Sequence, residues 1–228
     1  MQKFIIIAID GPAAGGKSTL AKHLADKLGY LYVDTGAMYR AITYFALENG
    51  IENDEKAVIE ATTNLDLQLE YSNRITKVFI DGNDVTSKIR THEVNAKVSD
   101  ISRIKDVRVE LVKLQQKFGE NNNLIVEGRD TTTVVFPNAD LKIFLTADVK
   151  ERAKRRYLEF KEKGVETSLE EVEKSIKNRD TIDSGRKVSP LKKAVDAIEI
   201  DTTNLTIDEE VESLIYQIEE LTKQNISK

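Results

Sequence analysis

At 228 residues, with 32% charged and 40% hydrophobic residues, the chain suits one folded domain with insertions and can bury a proper core. A net charge of −5 argues against a general nucleic-acid binder, and zero cysteines exclude a disulfide framework or a thiolate metal site. No apolar run approaches the ~18 residues of a membrane span and no signal peptide precedes the first strand, so a cytoplasmic protein with neither membrane nor nucleic-acid partner, and a monomer, is expected.

The chain opens on an apolar run, Phe4-Ile5-Ile6-Ile7-Ala8, that continues through Ile9 to Asp10. Then comes Gly11-Pro12-Ala13-Ala14-Gly15-Gly16-Lys17-Ser18-Thr19. This is the P-loop form, Gly-x-x-x-x-Gly-Lys-Ser/Thr, between a buried strand and a helix. Its glycines let backbone N–H groups curl round a phosphate, and the helix N-terminus adds partial positive charge. Lys17 is placed to reach the outer phosphates and Ser18 to hold Mg²⁺. The bland alternative is a glycine-rich turn with no ligand.

The helix after the loop spans about Lys17 to Leu28, with Leu20, Leu24 and Leu28 on one face and Gly29 as its stop. Tyr30 to Val33 reads as a strand ending at Asp34-Thr35-Gly36. Helices are expected over Ala37 to Glu48, with Met38, Ile42 and Phe45 inward, and over Glu55 to Thr63. Leu65, Leu67, Leu69 and Tyr71 then alternate with polar residues, the period of a strand with one wet face. Ser72-Asn73-Arg74 turns the chain into a second strand, Ile75 to Ile80; Asp81-Gly82 turns it again, toward a short strand near Asp84-Val85-Thr86. A small antiparallel sheet thus interrupts an α/β pattern.

Two helices follow, one with Val94, Val98, Ile101 and Ile104 inward and one with Val107, Leu111, Leu114 and Phe118. Leu124 to Glu127 is a buried-type strand that ends in Gly128-Arg129-Asp130, and Leu141 to Leu145 is the next. Asp148-x-x-Glu151 has the form of a capping box for a basic helix to about Lys163, and Ser168-x-x-Glu171 opens another. Ala197 to Asp201 is a last strand, and Thr206-x-x-Glu209 caps a final helix. Strands alternating with helices imply a parallel sheet flanked on both faces, an α/β class.

Ligands of open α/β sheets bind at the carboxyl ends of the strands. Those ends carry the P-loop, then Asp34-Thr35-Gly36 with Tyr39-Arg40, then Gly128-Arg129-Asp130. A further signal lies on the helix from Ser168. Its stripe of Leu169, Val172 and Ile176 continues, by steps of three or four, onto Arg179, Asp183 and Arg186. An inward face that turns from apolar to charged suits a site at the helix end; the alternative is a frayed, solvated tip. Arg152, Arg155 and Arg156 share a helix face. They fit a polyanionic partner, or a solvated face paired with Glu151, Glu159 and Glu162.

Taken together these residues resemble bacterial cytidylate kinase, over nearly the whole chain. The resemblance is carried by Asp10-Gly11-Pro12 with the P-loop, Asp34-Thr35-Gly36-Ala37-Met38-Tyr39-Arg40, Ile89-Arg90-Thr91, Gly128-Arg129-Asp130, Thr133 to Pro137, Arg152-Ala153-x-Arg155-Arg156, and Arg179-Asp180-x-x-Asp183-x-x-Arg186-x-x-x-Pro190-Leu191. It implies a phosphotransferase of pyrimidine nucleotide metabolism that uses ATP and Mg²⁺ to phosphorylate CMP and dCMP. Gly11 to Thr19 would hold ATP, with Ser18 on the metal. Thr35, Tyr39, Arg40, Arg129 and Arg186 would surround the CMP phosphate. Arg179 and Asp183 would hold the sugar hydroxyls, and Ser99, Arg108 and Asp130 would read cytosine. Lys17, Arg129, Arg152 and Arg156 would share the developing charge, and Arg155 would join the ATP contacts. The implied organisation is a core of residues 1–36, 88–147 and 182–228, and a monophosphate-binding region at 37–87. That region includes the small sheet near 65–87, with a boundary at about 104 as the alternative; lid helices span 148–181.

The family usually reads Gly-Arg-Asp-x-Gly-Thr where this chain has Gly128-Arg129-Asp130-Thr131-Thr132-Thr133. Were that glycine at positive φ, the β-branched Thr132 would be strained. Glu127 also stands where aspartate is common, which bears on the residues around Mg²⁺. Rival readings are a P-loop kinase of another small acceptor, such as UMP, AMP or shikimate, and a regulatory ATPase without an acceptor.

Overall fold

The computed structural model describes residues 4–72, 75–162 and 164–204, with 212, 215 and 216. The elements run β1 (Ile6–Asp10), α1 (Lys17–Leu28), β2 (Leu31–Asp34), α2 (Thr35–Glu48), α3 (Glu55–Asn64), β3 (Leu67–Ser72), β4 (Ile75–Ile80), β5 (Asn83–Asp84), α4 (His92–Ile101), α5 (Lys105–Phe118), β6 (Leu124–Gly128), β7 (Leu141–Thr146), α6 (Val149–Glu162), α7 (Leu169–Gly185) and β8 (Ile198–Asp201). The main sheet is parallel, in the order β2-β6-β1-β7-β8, and β3-β4-β5 form a small antiparallel sheet. This is the α/β architecture expected from the alternation. The helix beginning at Thr206 lies outside the described residues.

The centre of the main sheet has two buried faces, which its largely apolar strands β1, β6 and β7 require. Ile7, Ile9, Ile125, Ile143 and Leu145 pack with Leu20 and Leu24 of α1 on one side. Ala8, Val33 and Val126 pack with Met38 and Ile42 of α2 on the other. Leu67, Val78 and Ile80 of the small sheet enter that second cluster, so the insertion grows out of the main core. Ala153 of α6 with Val172 and Ile176 of α7 form a third, small cluster, against which Ala14 of the P-loop packs.

Parallel register aligns the strand ends where a ligand would bind. Asp10 pairs with Gly128, Asp34 with Glu127, and Thr146 with Asp201. Close approach at this edge demands glycine twice. A Cβ on Gly11 would lie 2.1 Å from the Leu145 carbonyl oxygen, and one on Gly128 would lie 2.5 Å from Thr35 Oγ1.

Several local expectations need correcting. Ser168 and Glu171 form a reciprocal capping box, but Asp148 and Glu151 do not. Asp148 accepts from the Lys150 and Glu151 amides while Glu151 turns to Arg155 instead of back to the cap. Leu169 is exposed, so the apolar stripe of α7 begins at Val172. Residues 131–135, given no regular structure from sequence, form one wide π-type turn.

Candidate active site

The P-loop joins β1 to α1, and Gly16 at φ 86° caps the helix in the left-handed conformation. Ser18 and Thr19 are exposed on the first turn of α1, while Lys17 is buried. Lys17 Nζ donates to the Pro12 carbonyl at 2.7 Å, across its own loop. Burial, and then the like charge of Arg129, push its pKa down to about 7. A cation held at this cost to its charge suits a place where an anion supplies the compensation.

Asp10, the last residue of β1, is fully buried. Its Oδ1 accepts from the Thr131 amide and hydroxyl at 2.8 and 2.7 Å, and its Oδ2 from the Thr132 amide and hydroxyl at 2.8 and 2.6 Å. Burial raises its pKa although these four donors pull the other way. The strain expected at Thr132 does not arise, because Thr132 is not among the residues at positive φ. Its hydroxyl instead completes the shell of Asp10 and ties the Gly128-Arg129-Asp130 loop to the start of the P-loop. Glu127 is equally engaged: the Tyr32 hydroxyl donates to Glu127 Oε1 at 2.6 Å.

The residues expected from β2 and β6 converge. Asp34 caps α2 by accepting from the Ala37 amide at 2.9 Å, and its Oδ2 pairs with Arg40 at 2.8 Å and Arg90 at 3.6 Å. Burial pushes Asp34 up, but the two guanidiniums and the cap bring its pKa below the usual carboxylate value. Thr35 donates to the Glu127 carbonyl at 2.7 Å. Arg108, almost fully buried, stacks 5.1 Å from the Tyr39 ring centroid, donates to the Ser102 carbonyl at 3.0 Å and pairs with Asp130 Oδ2. Ser99 is half-buried on α4, and its carbonyl accepts from the Ser102 hydroxyl.

Asp183 on α7 is a hub for three arginines. Arg129 Nε donates to its Oδ2 at 2.8 Å; Arg179 Nε lies 3.9 Å and Arg186 Nη1 3.8 Å from its two oxygens. Arg186 sits just past the last helical residue yet folds back, its Nε donating to the Asp183 carbonyl. Burial raises the Asp183 pKa, but the arginines outweigh it and the net shift is downward. Arg179 shows the opposite imbalance: burial and the charge of Arg129 bring it down to about 9, still cationic at neutral pH.

The three arginines of α6 fan out. Arg152 is buried and donates to the Ala147 and Ala13 carbonyls and to Asp180. Arg155 binds the Thr202 hydroxyl and carbonyl beyond β8 and reaches Glu151 at 3.3 Å. Arg156 pairs with Glu159 at 2.8 Å and lies over Phe160. The helical pairing weighed from sequence describes Arg156, while Arg155 divides between Glu151 and the buried Thr202 and Arg152 is drawn inward.

Among the described residues, seven have a buried side-chain polar atom without a hydrogen-bond partner, and five of these are Tyr39, Arg40, Arg108, Arg179 and Arg186. Natural interiors rarely leave such atoms unpaired. Oxygen donors also suit a magnesium ion. Ser18 lies beside the Tyr32–Glu127 pair, and no group of three or more His, Asp or Glu among the described residues could cage a metal alone. Mg²⁺ characteristically takes few protein ligands and completes its shell with phosphate and water.

The sequence assigns no role to Asp10, Tyr32 or Asp180, although Asp10 and Asp180 stand in the motifs that carry the resemblance. Asp10 had a signal: a lone carboxylate ending an apolar buried strand. Asp180 had one too, since it follows Ile176 by four residues on the stripe that also leads to Arg179.

A model of the cytidylate kinase family matches residues 7–220. A cytidylate kinase of Alkaliphilus oremlandii is 52% identical over 93% of this chain and 97% of its own length. One from Bacillus subtilis is 49% identical over 96% and 99%. In fold, the chain is similar to a gluconokinase from Sinorhizobium meliloti, at a TM-score of 0.50 and 13% identity over 99% of this chain and 98% of that one. An uncharacterized protein from Eubacterium ventriosum gives 0.52 at 13% identity over 96% and 99%. Among the described residues no helix is long and apolar enough to cross a membrane. With its P-loop, its arginine-lined strand ends and its close relatives of near-equal length, the chain belongs to the cytidylate kinase family.

Proposed function

We propose that the chain transfers the γ-phosphoryl group of ATP to a phosphate oxygen of CMP or dCMP, giving ADP and CDP or dCDP. Family membership favours this over another small acceptor or an acceptor-free ATPase. The observation that carries the residue assignments is the set of unpartnered arginine and tyrosine atoms at Tyr39, Arg40, Arg108, Arg179 and Arg186. Cationic forks match phosphate oxygens two at a time, and hydroxyl-rich sugar complements a carboxylate.

In this reading Gly11 to Thr19 cradle ATP, and Arg155 joins them. Thr35, Tyr39, Arg40, Arg129 and Arg186 surround the acceptor phosphate. Arg179 and Asp183 take the sugar hydroxyls. Cytosine is read by Ser99, Arg108 and Asp130. Arg108 holds Asp130 by Oδ2, so the remaining oxygen is oriented to accept from an exocyclic amine. Cytosine offers that amine, whereas uracil offers a carbonyl that a carboxylate repels. The acceptor is already anionic and needs no general base, so catalysis is positioning and charge neutralisation. Lys17, Arg129, Arg152 and Arg156 supply the cations; an arginine so used contributes about 10³–10⁵ in rate in related transfers. Mg²⁺, held by Ser18 with Glu127 close by, would neutralise charge on the β- and γ-phosphates. The helices at 148–181 act as a lid that excludes water, residues 37–87 as the monophosphate-binding region, and the remainder as the core. The protein acts as a soluble cytoplasmic monomer.

Replacing Lys17 by alanine tests the loop. Turnover should vanish while CMP still binds, measured by ADP release and by calorimetry; a variant with near-normal rate would refute the assignment.

A further inference from the structure

We propose that Asp180 is a positioning residue for the phosphate loop, acting through Arg152 and the backbone of Ala13. It rests on reading residues 11–19 as the ATP-binding loop. Asp180 Oδ1 accepts from the Ala13 amide at 3.1 Å, and Oδ2 accepts from Arg152 Nη1 at 2.6 Å. The same Arg152 nitrogen donates to the Ala13 carbonyl at 2.9 Å. The three groups close a ring on one residue of the loop: amide to carboxylate, carboxylate to guanidinium, guanidinium back to carbonyl. Arg152 Nε is fixed in turn by the Ala147 carbonyl at 3.0 Å, at the end of β7.

A ring of this kind does two things. It pins both backbone groups of Ala13, and so sets the path of the chain into Ala14, Gly15 and Gly16, whose amides would face phosphate. It also neutralises a carboxylate that would otherwise repel ATP from the loop's edge. Arg152 thus holds the loop through Nε and Nη1, in addition to the charge it brings to the transfer. Asp180 lies between Arg179 and Asp183, which face the acceptor side, so one turn of α7 touches both halves of the site.

The test separates donor from acceptor binding. Affinity for a non-hydrolysable ATP analogue with Mg²⁺, and for CMP alone, is measured by calorimetry on the unaltered protein, Asp180→Ala, Asp180→Asn, and Arg152→Ala with and without Asp180→Ala. Asp180→Ala should weaken the ATP analogue about tenfold, the scale of a lost charged hydrogen bond. Asparagine keeps an acceptor for Ala13 and should restore it to within about threefold, while CMP stays within about twofold throughout. The double variant should bind no worse than the weaker single, since the two residues act as a unit. An unchanged or tightened ATP analogue, or equal loss for both ligands, would overturn the proposal. If the alanine variant does not fold, Asp180→Ser, too short to bridge Ala13 and Arg152, carries the same test, with the ATP analogue weakened about tenfold and CMP unchanged. Failure of the unaltered protein to bind the ATP analogue would instead overturn the reading of the loop.

Discussion

Removing the charge of Asp183 should destabilise the protein by about 3 kcal/mol, because breaking a buried ion pair costs about 3–5 kcal/mol. Asp183→Asn preserves shape and one acceptor, so the change isolates charge. In the folded protein the carboxylate faces Arg129 at 2.8 Å, Arg186 at 3.8 Å and Arg179 at 3.9 Å, and its side chain is 5% exposed. At an effective dielectric of about 20, one such pair at about 4 Å interacts by roughly 4 kcal/mol before desolvation is subtracted. The lower end of the range applies because the side chains of Arg129 and Arg179 keep 17% and 29% of their exposure. With an m-value of about 3 kcal/mol/M, expected for a chain of this size, the urea midpoint should fall by about 1 M. The folded pKa of Asp183 is depressed, so its contribution is present above the unfolded value and lost as pH falls through the folded one. The gap between the two proteins should therefore be full at pH 7 and close below about pH 4. Glu173→Gln, which breaks the exposed pair with Lys177, should change stability by less than about 0.5 kcal/mol. A midpoint for Asp183→Asn within about 0.3 M of the unaltered protein, at unchanged m, would refute the hub.

Two further outcomes are expected. With a pKa near 7, Lys17 is about 90% neutral at pH 8, so ATP binding should take up ~0.9 proton, read as a dependence of the calorimetric heat on buffer ionisation enthalpy; the same shift makes the free protein gain stability from this group as pH rises from about 7 to 10, and a buffer-independent heat would contradict both. Thr132→Val keeps the shape but removes the hydroxyl donated to Asp10, and should cost about 1.5 kcal/mol in urea denaturation; an unchanged midpoint would mean that bond is immaterial.

The sheet was legible because buried parallel strands write themselves as apolar runs, and their ends announced the ligand edge. Period alone separated β3 and β4 from the rest. What sequence could not show was which partner a charged residue would choose. Arg152, Arg155 and Arg156 share a helix face, yet one turns to the P-loop, one to the segment after β8 and one to its own helix. Helical spacing fixes a direction at the backbone, but long arginine side chains reach partners more than forty residues away in sequence. Thr132 teaches the converse. A substitution that looked like strain is instead a fourth hydrogen bond to Asp10, visible only once the wide turn at residues 131–135 brings hydroxyl and carboxylate together. Asp180 is hidden because a step of three or four along one stripe has two branches, and Arg179 occupies the other.

The central claim is phosphoryl transfer to a cytidine monophosphate. ADP release from ATP should be measured with CMP, dCMP, UMP, AMP and shikimate as acceptors, for the unaltered protein and for Asp130→Asn. The account predicts turnover dependent on acceptor, fastest with CMP or dCMP, and a narrowed CMP-over-UMP preference in the variant. ADP release that does not depend on an acceptor, or a preference for AMP or shikimate, would contradict it.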